Sequence, residues 1–151
     1  MRLAQLALLA SGCAACLPAV ASAADIQCYD AKVRAKPLAQ VPTAFPQSDG
    51  PDVIIMSWPW FVDLDVRRVI EGDVEKGRLE TLVVQHTYYV KKTLTFYLRR
   101  NSAGTFNILR YFDEDQIERC QPGTEPARPY VRPGPGQTLD DIRREAEAEW
   151  E

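Results

Sequence analysis

Residues 51–112 read PDVIIMSWPWFVDLDVRRVIEGDVEKGRLETLVVQHTYYVKKTLTFYLRRNSAGTFNILRYF, and this stretch decides the fold. It is a ladder of strand signals broken by two glycine turns. Val53, Ile54, Ile55 and Met56 form a continuous apolar run, which predicts a strand covered on both faces. Pro59, between Trp58 and Trp60, has no N–H to give to a ladder, so a bulge or bend is expected there. The alternation is then clean, with Val62, Leu64 and Val66 on one face and Asp63, Asp65 and Arg67 on the other. A slip of phase at Val69 and Ile70 predicts a second irregularity. Gly72 and Gly77 bracket a turn and supply positive φ at both ends. Leu82, Val84, His86 and Tyr88 next share one face, opposed by Val83, Gln85, Thr87 and Tyr89. Lys91 and Lys92 mark a connection. Leu94, Phe96 and Leu98 point inward from the following strand, whose end Arg99 and Arg100 cap. Asn101, Ser102, Ala103 and Gly104 make a hairpin loop, and residues 105–112 return with Phe106, Ile108 and Phe112 in phase. Five or six short strands with tight turns predict a mainly β, antiparallel barrel or sandwich.

Upstream, Ala31, Val33 and Ala35 alternate with Lys32, Arg34 and Lys36, the pattern of a strand with its basic face in water. Pro37 is expected to end it, and residues 37–51, rich in proline and small polar side chains, read as a long loop. Residues 1–23 carry Arg2, an apolar run, Pro18 and then Ala21-Ser22-Ala23. These are the three parts of a secretory signal peptide, with cleavage after Ala23 or Ala24 and a periplasmic or secreted destination. Gly12 and Pro18 interrupt the run and no stop-transfer charges follow, so no transmembrane segment is expected once the signal is removed. The alternative of lipidation at Cys13 rests on Ser11-Gly12-Cys13, but Ala10 stands where a lipobox has leucine. Cys28 and Cys120 are the two cysteines left. In an oxidising compartment they are expected to form one disulfide, contributing about 2–4 kcal/mol; the alternative is a pair of free buried thiols.

The full chain carries 18 Lys and Arg against 21 Asp and Glu. Residues 25–137 hold 15 of each, while residues 138–151 hold two Arg against six acids. A neutral body with an acidic tail gives no electrostatic footprint for nucleic acid. The expected organisation is a signal peptide over 1–23, a β-barrel over 24–120, an extended linker with five prolines over 121–137, and an acidic helix over 138–151. A short helical turn is expected at 116–119. Thr138 can N-cap the last helix, Asp140 and Asp141 complement its dipole, and Leu139, Ile142, Ala146 and Trp150 fall near one face. So short a helix is marginal alone, so it docks on the barrel, docks on a partner, or frays. Removal of residues 121–151 is expected to leave a folded barrel.

No constellation of catalytic or metal-ligating residues emerges. His86 is the single histidine, and its phase with Leu82, Val84 and Tyr88 predicts a structural sheet residue. A hydrolase or metal enzyme built on His86 is the competing reading, without a second histidine to support it. Asp113, Glu114 and Asp115 lack the glycine and alternating ligands of a calcium loop. Asp63 and Asp65 are neighbours on one strand face, as solvated partners of nearby basic residues rather than two carboxylates across a cleft. No serine lies in a nucleophile elbow and no phosphate-binding glycine loop opens a helix. The expectation is therefore a non-enzymatic module with no cofactor and no metal, that binds a protein, peptide or glycan partner; an envelope structural protein is the alternative. Trp58, Trp60 and Phe61, around Pro59, are either core or a candidate contact surface.

The order of strands, the sequence Arg68-Val69-Ile70-Glu71-Gly72-Asp73, Gly77, the glycine hairpin and the closing Cys120 resemble the OB-like barrel of netrin modules and tissue inhibitors of metalloproteinases, in a bacterial secreted variety. The resemblance spans about residues 28–120. It implies a five- or six-stranded OB-like barrel with a C-terminal α-helix. The inhibitors chelate a protease zinc through an amino-terminal cysteine; here residues precede Cys28, so inhibition is not carried over.

Overall fold

The computed structural model describes residues 28–47, 50, 54–109 and 117–150. The expected signal peptide, with Cys13, and the acidic run Asp113 to Asp115 lie outside the described residues. Five strands, β1 (Ala31–Pro42), β2 (Trp58–Glu71), β3 (Gly77–Gln85), β4 (Leu94–Arg100) and β5 (Phe106–Ile108), precede one helix, α1 (Leu139–Trp150). The strands close into a barrel in the order β1-β2-β3-β5-β4, an arrangement compatible with an OB-like barrel. All pairings are antiparallel except β3 with β5, where Thr81 lies beside Phe106 and Leu82 beside Asn107. Val33, Ala35, Trp60, Val62, Leu64, Val66, Val83, Phe96, Leu98 and Ile108 fill the interior. That is the alternation of the sequence turned into a core, with inward residues two apart on every strand.

Several local expectations are corrected. Pro37 does not end β1, which runs on to Pro42. Its pairing with β4 stops at Ala35, opposite Leu94, so Pro37 owes no N–H to that neighbour while β2 continues to flank it. Pro59 makes no bulge: Trp58, Pro59 and Trp60 pair in unbroken register with Gln85, Val84 and Val83. It is the second residue of its strand, and its carbonyl accepts from the N–H of Thr43 (3.2 Å) and from Thr43 Oγ1 (2.7 Å). The irregularities lie elsewhere. Ile70 and Arg67 on β2, and Leu38 on β1, are left out of the ladder between the two strands. The first of these is the phase slip read at Val69 and Ile70, and the three bulges bend the long β1–β2 ribbon into the barrel wall. The strand expected over Val53 to Met56 is absent at 54–57, where Ile54 is 80% exposed. His86 stands exposed on the bend after β3, outside the sheet. No helical turn forms over 117–119; instead Tyr29 and Arg119 make a parallel bridge, with the Cys120 N–H donating to Tyr29 O at 2.9 Å.

Gly72 sits at φ +90°, and a Cβ there would lie 2.4 Å from the carbonyl oxygen of Asp30. Glycine is required twice over, for the backbone angle and for the close approach of the chain entering β1. Cys28 and Cys120 form a disulfide with Cα atoms 4.8 Å apart, beside the Tyr29–Arg119 bridge. A disulfide fits an extracytoplasmic location. Among the described residues no helix is long and apolar enough to cross a membrane.

The C-terminal segment is sewn to the barrel. Residues 121–137 are without helix or strand, but Ala127 bridges Asn101, and the Asn107 Nδ2 donates to Arg128 O at 2.7 Å. Asn101 Nδ2 donates to Asn107 Oδ1 (3.0 Å), so two buried asparagines carry the seam. Arg99, expected to cap the end of its strand, is buried and donates to Asp30 (2.7 Å) and to the carbonyl of Glu125. Val131, Leu139 and Ile142 cover Phe61 and Leu82 on the outer face of β2 and β3. Thr138 caps α1 as expected: its hydroxyl accepts from the Asp141 N–H (3.2 Å), and its own N–H donates back to Asp141 Oδ2 (2.9 Å). These bonds hold the Asp141 carboxyl below the usual carboxylate range. Ala146 is buried, whereas Trp150 is 52% exposed.

Under α1 lies Asp63, expected on the solvated face and found buried. Arg143 grips it in a fork, Nη1 to Oδ1 and Nη2 to Oδ2, both at 2.8 Å, and Arg78 adds a contact at 2.6 Å. Burial pushes the Asp63 carboxyl up, and the bonds and charges of Arg143 and Arg78 outweigh it, leaving it below its ordinary range. The alternating face that looked polar is thus polar for a reason other than water. It is the socket for the helix.

Candidate functional site at the open end of the barrel

The end of the barrel away from the disulfide holds the start of β2 and the end of β3. β2 enters it with Trp58 and Trp60, and β3 leaves it with Val83 and Gln85. Trp58 lies opposite Gln85 and Trp60 opposite Val83, so all four project from the inner face. Two connections frame this end, residues 43–47 and 54–57 between β1 and β2 and residues 86–93 between β3 and β4. Thr43 ties the first through its bonds to Pro59 and through its carbonyl, which accepts from Trp58 Nε1 at 3.2 Å. Gln40 ties the second by accepting from the N–H of Tyr89 (2.7 Å) and donating to its carbonyl (3.0 Å).

Rings are in contact across the end. Phe45 meets Trp58 with centroids 4.9 Å apart, Trp58 meets Trp60 at 5.3 Å, and Trp60 meets Tyr88 edge-on at 4.8 Å. Tyr89 packs on Phe96 at 5.3 Å, which links the rim to the core. Outside this floor the chain exposes large apolar side chains: Phe45, Ile54, Met56, Tyr88 and Val90 are each more than half exposed. Of the other exposed large apolar side chains among the described residues, Leu38 and Ile70 are bulge positions and Trp150 ends the helix. Five on two connections at one end are more than the scattered apolar residues of an ordinary surface.

Beneath the rings are polar groups without partners. The Trp60 indole N–H and both side-chain polar atoms of Gln85 are buried and make no hydrogen bond. A buried donor or acceptor left unpaired costs about 1–3 kcal/mol, so these three are the costly polar atoms of this end.

The residues singled out in the sequence divide between this end and the rest of the barrel. Trp60 is core and forms the floor; Trp58 is half-buried at the rim. Phe61 faces the opposite way and is covered by the C-terminal segment, so it belongs to no shared surface with the tryptophans. His86 lies on the rim connection, exposed. Asp63 and Asp65 are split: the first is the socket for Arg143, the second pairs with Arg67 at 2.5 Å. Ile54, Met56 and Gln85 are the residues the sequence reading missed. The proline-rich stretch before residue 54 was a signal that the apolar run continued a loop. Gln85 sat in an otherwise apolar alternation with Val83.

A second concavity of about 410 Å³ lies between the start of α1 and the β4–β5 hairpin, lined by Phe61, Leu82, Thr105, Thr138, Leu139 and Arg143 among others. Its one strongly buried charge partner, Arg143, is already saturated by Asp63 and Glu147. No group of three or more His, Cys, Asp or Glu among the described residues is placed to hold a metal ion.

The chain is defined by these features as a small closed β-barrel with a C-terminal helix. No family model matches it, no curated protein matches it, and no solved structure matches it.

Proposed function

We propose that this is a non-enzymatic binding module, exported to the periplasm or secreted, that holds a protein partner on the open end of its barrel. The observation that carries the reading is the five exposed apolar side chains Phe45, Ile54, Met56, Tyr88 and Val90 on the connections at this end, backed by a floor of rings in contact. Aromatic residues and Met are enriched at the centres of protein interfaces, and a rigid aromatic floor loses little entropy on binding. The resemblance to netrin modules, carried by the strand order, residues 68–73, Gly77, the glycine hairpin and Cys120, is in keeping with such a role, though inhibition of metalloproteinases is no part of it.

The test is a surface variant in the native host. Ile54→Ser, Met56→Ser and Val90→Ser change only side chains that are more than half exposed, and the tagged triple variant is compared with the unaltered protein by size-exclusion chromatography of envelope extracts. Migration of the unaltered protein in a larger complex, and of the variant at monomer size, supports the reading. Identical elution of the two proteins contradicts it.

A further inference from the structure

The polar atoms stranded beneath the rim specify more about the partner than the rim does. Gln85 shares the inner face with Trp58, directly opposite, and with Trp60, one step further in. Its amide offers two donors and one acceptor, and Trp60 offers one donor. All are buried, and none finds a partner among the described residues. A lipid chain would satisfy none of them. A saccharide hydroxyl would satisfy them, but gains little from Ile54, Met56 and Val90, three aliphatic side chains that are among the most exposed in the rim. A polypeptide segment does both: its main chain carries a carbonyl and an N–H at fixed spacing, and its apolar side chains match the rim.

We infer that the open end recognises an apolar polypeptide segment whose main-chain carbonyl accepts from Trp60 Nε1–H and Gln85 Nε2–H while a main-chain N–H donates to Gln85 Oε1. Tyr88, edge-on to Trp60 and more than half exposed on the connection after β3, is the ring that yields to admit it. The inference rests on the binding role proposed above and adds to it the chemistry of the contact.

The Trp indole N–H and Gln side-chain amide give separate signals in ¹H–¹⁵N NMR spectra, so the contact is read directly. A random dodecapeptide library displayed on phage is panned against the disulfide-bonded protein. Selected peptides, and separately a β-1,4-linked N-acetylglucosamine oligomer, are titrated into the labelled protein. The expected result is selection of peptides rich in large apolar residues, which move the Trp60 Nε1–H and Gln85 Nε2–H signals. Gln85→Leu, which removes the stranded amide at little cost in shape, should weaken the peptides about tenfold with stability unchanged or raised. Ile54→Ser, a change at a side chain 80% exposed, should weaken them as well. Peptides that bind the rim but leave both signals in place, and bind Gln85→Leu as tightly, would overturn the inference while leaving the binding role standing. The same holds if the oligosaccharide alone moves the signals. Failure to select any peptide, with no response to the sugar and the two signals explained by ordered water, would remove both.

Discussion

Arg143→Met removes the guanidinium from the buried socket and leaves the Asp63 carboxylate facing Arg78 alone. Arg143 is mostly buried and makes both fork bonds at 2.8 Å, whereas Arg78 is 62% exposed and reaches a single oxygen. Removing one partner of a buried ion pair costs about 3–5 kcal/mol; the surviving contact to Arg78 puts the value near the lower end, about 3 kcal/mol. For a domain of this size that is a fall in Tm of about 10 °C. Urea denaturation followed by circular dichroism measures it. The double variant Asp63→Leu with Arg143→Met replaces the pair by apolar groups and should recover most of the loss, because neither charge is then stranded. The pH dependence has a definite sign. The native Asp63 carboxyl lies below its unfolded value, so the pair's stabilisation is present above the unfolded pKa, near 4, and is lost as pH falls through the native one. Arg143→Met should flatten this acid limb. An Arg143→Met protein within about 0.5 kcal/mol of the parent, or a double variant as unstable as the sum of the singles, would refute the assignment of α1 as a latched part of the core.

Deletion of residues 121–151 uncovers Phe61, Leu82 and Asp63, so against the expectation from sequence that a folded barrel remains, the truncated chain should lose cooperative unfolding by denaturant; a sharp transition with near-parental midpoint would show the segment to be dispensable. Gly72→Ala should cost well over the 1–2 kcal/mol of a left-handed alanine, because its Cβ meets the Asp30 carbonyl, whereas Gly77→Ala, with nothing within 4 Å, should cost only that backbone term; equal losses in thermal melts would contradict the close approach. Replacing Cys28 and Cys120 by Ser opens a loop with a sequence separation of 92 and should lower stability by about 2–5 kcal/mol in urea titrations; a change under 1 kcal/mol would mean the termini are held by the Tyr29–Arg119 bridge and its neighbours without the bond.

The inward residues of β2, the turn at Gly72 and Gly77, the Cys28–Cys120 pair and the Thr138 cap were legible because each depends on near neighbours or on compartment. Period-two alternation reports which side of a strand is buried and says nothing about what buries the other side. Asp63 and Phe61 therefore looked like a solvated charge and a candidate contact, and both turned out to lie under a segment some 70–80 residues away in sequence, the Arg143 contact being 80 apart. Pro37 looked like a strand end because proline is judged against a generic ladder, while its tolerance depends on how far β4 extends. The exposed run at Ile54 to Met56 was misread for the complementary reason. Apolar composition announces burial, and only the positions of the neighbouring strands reveal that no second layer covers this end. The polar orphans at Trp60 and Gln85 are likewise a property of the folded barrel.

The barrel covers its own outer face at Phe61 and Leu82 with its C-terminal segment, and the role proposed for its open end is to hold a partner. The most direct measurement is site-specific photo-cross-linking in the native host, with a benzophenone amino acid placed in turn at positions 54, 88, 100 and 148. Discrete adducts of a single size from 54 and 88, and none from the exposed positions 100 and 148, are the predicted result. Adducts from 100 or 148, with none from 54 and 88, would contradict the account.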